Sequence, residues 1–121
     1  MDTMNVSWNG YNCYAELGMY ANRRLMICLK QNKTLSSGLK DRYGNVRHKV
    51  IGVPILTASV NLPDVPILDN PNLVAIKDYS ENTGVLGALI QAGIVGEPVL
   101  TARSGFVDIP ICPLLVPNPY V

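Results

Sequence analysis

The chain is short of nearly everything that marks an enzyme or a disulfide-built scaffold. A single histidine, His48, stands among 121 residues, which excludes a His-rich metal enzyme. Its spacing to Cys13, Cys28 and Cys112 suggests no Cys–His nucleophile pair. Three cysteines, an odd number with no CxxC spacing, do not make a disulfide framework, so a reduced, cytoplasmic protein is expected. Nine acids are too scattered for a carboxylate pair, and no Gly-Lys-Ser/Thr follows Gly84 or Gly87 to cradle a phosphate. No apolar run approaches the ~20 residues that a membrane helix needs. The opening MDTMNVSWNG has neither the basic head nor the apolar stretch of a signal peptide. No membrane association and no enzymatic activity are expected.

What is present is apolar. Hydrophobic residues make up 48% and charged residues 16%, the composition of a chain with a core. The length suits one domain, here 1–121, and leaves little room for a second. The segments 11–20 and 25–32 are β-prone and flank Ala21-Asn22-Arg23-Arg24, which predicts a hairpin with Asn22 at the left-handed position. Leu25, Ile27 and Leu29 should share a core face with Cys13, Ala15, Leu17 and Met19, which requires an odd loop, about three residues long. Residues 55–62 alternate as a half-buried strand bounded by Pro54 and Pro63, and 73–76 make another. Ser80 is placed to cap a helix over 81–92, with Val85, Leu86, Leu89 and Ile90 as its apolar stripe and Gly93 as its stop. The runs 99–102 and 105–112 read as strands, the second an edge strand because of Pro110, leading to an extended tail at 113–121. The fold expected is α+β: one antiparallel sheet of about five strands with one helix packed on one face.

Charge is unevenly placed. Between Arg23 and Lys49 lie eight of the ten bases against the single acid Asp41, a net +7. The remainder holds two bases against eight acids, a net −6. Residues 31–49 carry most of the positive charge, lack apolar periodicity and contain the turn signals Ser36-Ser37-Gly38 and Tyr43-Gly44-Asn45. They read as a basic loop, a form that long polar segments in small domains take at contact surfaces. Arg23, Arg24, Lys40, Arg42, Arg47 and Lys49 are therefore the candidate binding residues, suited to an acidic protein surface or a phosphate.

Two further constellations are weaker. Cys13, Cys28, Cys112 and His48 are the ligand types of a closed Cys₃His zinc site. The strand alternation turns Cys13 to the core and Cys28 away from it, so buried thiols are the default and no cofactor is expected beyond that zinc alternative. Trp8, Tyr11, Tyr14 and Tyr20 near Arg23 and Arg24 suit base stacking with phosphate contact, or equally ordinary strand and protein-contact chemistry. With a net charge of only +1, direct nucleic-acid binding is not the primary expectation.

The segments Thr57-Ala58-Ser59-Val60-Asn61-Leu62-Pro63-Asp64, Ala75-Ile76-Lys77-Asp78-Tyr79-Ser80-Glu81-Asn82 and Leu89-Ile90-Gln91-Ala92-Gly93-Ile94-Val95 carry a resemblance. So does Ser104-Gly105-Phe106-Val107-Asp108-Ile109-Pro110-Ile111-Cys112. In this order they resemble a family of small proteins known as a domain of unknown function, found in phages, prophages and mobile elements of Firmicutes and gut bacteria. The likeness spans roughly residues 53–115 and leaves out the basic segment 31–49. It implies no catalytic residues. It implies a small accessory protein of a phage, prophage or plasmid. Because small, motif-free proteins of such sources often inhibit host defence, and because the charge is split, the expectation is a non-enzymatic anti-defence inhibitor in the host cytoplasm. It would bind a host immune effector, most concretely as an anti-CRISPR protein on a Cas nuclease. On that reading the acidic remainder stands in for phosphate against a basic groove. A sponge for an immune nucleotide signal, clamped by Arg23, Arg24 and residues 40–49, and an accessory nucleic-acid-binding protein are the alternatives. Oligomeric state is left open.

Overall fold

A computed structural model describes residues 4–40 and 42–121, and for 34–40 and 46–49 the backbone course alone. The first half of the chain is a meander in which each strand pairs with the next. β1 (Asn5–Trp8), β2 (Tyr11–Met19), β3 (Leu25–Lys40) and β4 (Val46–Thr57) form one antiparallel sheet in chain order. Asn9-Gly10 joins β1 to β2 with φ of 49° and 80°, the two left-handed positions that a tight hairpin turn needs. At the next turn Tyr20 N donates to Arg24 O (2.8 Å) and Arg23 N to Tyr20 O (2.9 Å), enclosing a loop of three residues. The left-handed residue there is Arg23 (φ 66°), not Asn22 as the sequence suggested.

The shared core face is present. Ala15 lies opposite Leu29 and Leu17 opposite Ile27, and these four are buried together with Cys13 and Leu25. Met19 departs from expectation: opposite Leu25 at the end of the ladder, it is 43% exposed.

The basic segment is the larger correction. Residues 31–40 and 46–49 are not loop but paired strands of a β-hairpin, with Lys33 opposite Ile51, Leu35 opposite Lys49 and Lys40 opposite Val46. The turn at its end carries Gly44 at φ 82°. β2 has its last β3 partner at Lys30, so beyond that point β3 and β4 run on as a two-stranded ribbon. Eight residues from Lys33 to Lys40 make this ribbon roughly 25 Å long at ~3.3 Å per residue. Apolar alternation is required only where one face is buried. A ribbon held by backbone hydrogen bonds and wet on its sides needs none, and Asn32, Lys33 and Val50 are exposed.

Pro54 does not delimit a strand either. The register steps from Leu29–Leu56 to Lys30–Pro54, leaving Ile55 as the extra residue of a bulge inside β4. β4 is the outer strand of its sheet, where a bulge and a proline are tolerated. At the ribbon's root, a Cβ on Gly52 would collide with the Tyr14 hydroxyl, which packs across β3 against that backbone. Gly52→Ala should therefore cost about 1 kcal/mol in urea unfolding. Tyr14→Phe in the same chain should recover most of that loss, since the ring carbon beneath the hydroxyl stands at an ordinary 3.5 Å.

The second half builds a separate sheet, so the single five-stranded sheet gives way to sheets of four and three strands. β5 (Leu73–Ala75), β6 (Leu100–Ser104) and β7 (Val107–Pro113) pair antiparallel in the order β5-β7-β6. An isolated bridge between Ser59 and Ile76 ties this sheet to the end of the meander. β7 is central, not an edge strand. Pro110 is tolerated because β5 ends at Ala75, beside the position where an N–H would be used, while Pro110 O still accepts from Ile76 N (3.0 Å). Both faces of this sheet are covered. Val74 and Cys112 turn to the main core shared with the meander, and Ala75 and Ile111 to a smaller core with Leu62, Leu68 and Ile109.

The one α-helix among the described residues, α1 (Val85–Gln91), is seven residues long and begins four residues later than the sequence suggested. Ser80 has φ 57° inside a short 3-10 turn, and Gly84 has φ 92°, so no helix passes through them. The cap comes from Asp78, whose Oδ1 accepts from Gly84 N and Leu86 N, both at 3.0 Å. Val85 and Leu89 are buried in the main core, and Gly93 stops the helix at φ 74°. The tail is tied down: Asn118 Nδ2 donates to Pro71 O (2.7 Å) and the Tyr120 hydroxyl to Leu17 O (3.1 Å). The architecture stays within α+β, mostly β, and among the described residues no helix is long and apolar enough to cross a membrane.

Candidate functional site

The six basic residues singled out above do not form one patch. Arg23 and Arg24 lie at the start of β3, whereas Lys40, Arg42, Arg47 and Lys49 belong to its far end and the adjoining turn and strand. Sixteen residues of extended chain separate the two groups by roughly 50 Å.

Arg24 is structural. Its side chain is only 11% exposed. Nη1 donates to Leu62 O and to Val65 O (2.9 Å), while Nη2 donates to Pro63 O (3.1 Å) and Asp69 Oδ1 (3.2 Å). One planar guanidinium thus satisfies three carbonyls of the 62–65 loop, a task for a rigid fork of donors. It is not available to clamp a phosphate. Arg23 is exposed beside it, at the rim of a shallow hollow with Met19 and Tyr120.

At the other end, Arg42 is exposed in the turn next to Tyr43, which is 82% exposed. The side chains of Lys40, Arg47 and Lys49 lie outside the described residues, as does that of His48. Among the described residues neither Lys33 nor Arg42 has an acidic partner, and five acids of the body are held by its own bases and amides. Asp69 pairs with Arg24, Glu16 with Lys30 (2.9 Å), Glu81 with Lys77 and Asp108 with Arg103 (4.0 Å), and Asp78 caps the helix. Divided at the ribbon's bounds, the charge is less lopsided than between Arg23 and Lys49. Residues 31–50 carry five bases against Asp41, a net +4, and the rest carries five bases against eight acids, a net −3.

The thiols do not converge. Cys13 and Cys112 are buried in the main core. Cys28, opposite Glu16, is on the outer face of the meander, the reverse of Cys13. Among the described residues no group of three metal-ligating side chains comes together. Burial raises all three thiol pKa values, that of Cys112 to about 11, with Glu97 and Asp78 adding to it. In the native protein at pH 8, a thiol reagent should label half-buried Cys28 slowly, and Cys13 and Cys112 only after denaturant is added. Rapid labelling of all three would contradict their burial.

A cleft of about 470 Å³ lies at the end of β4, lined by Tyr20, Ser59, Lys77, Tyr79, Glu81 and Asn82. Ser59 Oγ accepts from Ile27 N and bonds the Tyr20 hydroxyl, both at 3.0 Å. Buried Asn82 donates to Thr57 O (2.7 Å). Lys77, held over the Tyr79 ring, pairs with Glu81, whose carboxyl falls to about 2 through that bond, its own backbone N–H and Ser80. Ser59, Tyr20, Asn82, Lys77 and Glu81 are thus engaged with one another or with backbone, which makes the cleft a structural junction. Sequence reasoning missed Asp78 as a cap and Arg24 as a clamp. It also missed Phe106, 98% exposed at the β6–β7 turn. No family model, curated protein or solved structure matches this chain.

Proposed function

We propose that this protein is a non-enzymatic binding module whose contact surface is the basic β3–β4 ribbon, and that it acts by occupying a surface of its target. The observation that carries this reading is the placement of charge. Four of the body's eight acids are paired with Arg24, Lys30, Lys77 and Arg103 and a fifth, Asp78, caps the helix, while the ribbon's described bases Lys33 and Arg42 have no acidic partner among the described residues. Basic charge set on a hairpin whose root is one side of a buried sheet is suited to steering onto an acidic surface. With the resemblance of residues 53–115 to small phage and mobile-element proteins, the target is a host immune effector, most concretely a Cas nuclease inhibited as an anti-CRISPR protein would do it. Phosphate mimicry by the acidic remainder loses ground, since four of its eight carboxylates are paired with bases and Asp78 caps the helix. The nucleotide sponge also loses its clamp, because Arg23 and Arg24 stand at the opposite end of β3. The test is co-purification with Cas nucleases and other defence effectors, followed by cleavage assays at excess protein. Binding and loss of cleavage by one of them are expected, and unimpaired cleavage by all would overturn the inhibitor reading.

A further inference from the structure

The ribbon offers a backbone edge as well as charge. β4 is the outer strand of its sheet, so between the turn and Pro54 alternate N–H and C=O groups face away from β3. The strand is also apolar where it is open. Val50 is 62% exposed, and Ile51 and Val53 are half-buried on a ribbon with no third strand beside them. A two-stranded ribbon is marginal in water alone, and apolar β-branched residues on its outer strand gain most from a cross-strand neighbour. Pro54 has no N–H and stands at the bulge, so an added ladder stops there. The usable edge is therefore 46–53, eight residues or roughly 25 Å.

We infer that the ribbon recognises its partner by strand addition, an extended, acidic, β-prone polypeptide segment pairing along the outer edge of β4. This rests on the ribbon being the contact surface proposed above, and it names what that surface takes. The acidic character follows from the net +4 of residues 31–50. The same charge disfavours a second copy of this chain, whose edge would bring like charges together. The apolar residues disfavour a nucleic acid, whose backbone is met by basic and polar side chains. Main-chain bonds would supply affinity, and alternate side chains with the bases around them would supply selection.

The experiment uses the full chain and three ten-residue peptides: one alternating Glu with Thr and Val, one with Lys for Glu, and the Glu peptide N-methylated along both edges. Fluorescence anisotropy reads binding, and amide hydrogen exchange reads its place. The Glu peptide should bind and slow exchange at least tenfold for outward amides between 46 and 53. The Lys peptide should not bind, and N-methylation should weaken binding at least tenfold. Equal binding of the methylated peptide, or binding without protection of β4, overturns strand addition and leaves a charge-only contact surface standing. Failure of the Glu peptide while duplex DNA binds at the same salt overturns the inference and the protein-target reading together. Edge binding of the Glu peptide with every effector still cleaving upholds strand addition and overturns only the inhibitor function.

Discussion

Arg24→Ala is expected to lower the free energy of unfolding by about 3 kcal/mol, seen as a fall in the urea midpoint at unchanged slope. The ion pair with Asp69 is the minor part, because that carboxylate is 78% exposed and exposed pairs contribute little. The larger part is the loss of charged donors to Leu62 O, Val65 O and Pro63 O, each such bond being worth about 1.5–3 kcal/mol before the groups relax. Arg24→Lys should recover less than half, since one ammonium cannot span three carbonyls in a plane. Arg23→Gly, one position away, should be neutral or stabilising by up to ~1 kcal/mol, because Arg23 holds a φ of 66° that glycine adopts freely. A loss below 1 kcal/mol for Arg24→Ala would mean that the 62–65 loop is held by something else.

Replacing Lys40, Arg42, Arg47 and Lys49 together by alanine should do the reverse, sparing stability and removing binding. The change in unfolding free energy should stay within about 0.5 kcal/mol, as is usual for surface positions away from caps and core. Association with the target should slow on the order of tenfold or more at low salt, with a smaller difference at high salt. Surface plasmon resonance at two ionic strengths checks both statements. Unchanged association would make the ribbon's charge incidental. A large loss of stability would mean that these bases are paired within the molecule.

The parts of this fold that could be read directly are those where one face of a strand is buried. Leu25, Ile27 and Leu29 alternate with more exposed residues because burial leaves them no other arrangement, and Ala15 and Leu17 follow from the same logic. The ribbon escaped because its ladder is made by backbone groups that every residue carries, and a wet hairpin places no demand on side-chain order. Pro54 and Pro110 misled for a related reason. A proline forbids one hydrogen bond, and whether that bond is needed depends on which strands lie alongside. Asn9-Gly10 is a turn signal that the sequence reading passed over, and with it the β1–β2 hairpin, in which Val6 is the buried residue opposite Cys13. The site was less legible than the fold. Arg24 belongs to a basic run in the sequence, and its acceptors lie 38 to 45 residues further on. Which bases serve the body and which are left to a partner is decided only when those distant carbonyls arrive.

The order of strands in the two sheets also sets the order in which the chain acquires structure during synthesis. The meander pairs only sequence neighbours, so it is complete once residue 57 has emerged, and such local pairing is fast. β5 has to wait for β7, whose first pairing residue is Ile111, 36 positions after Ala75. Until then the buried face of Ala15, Leu17, Ile27 and Leu29 lacks Val74, Cys112 and Leu114 as a cover. The nascent protein therefore carries a finished charged ribbon on a half-covered sheet until residues 111–114 arrive to close it.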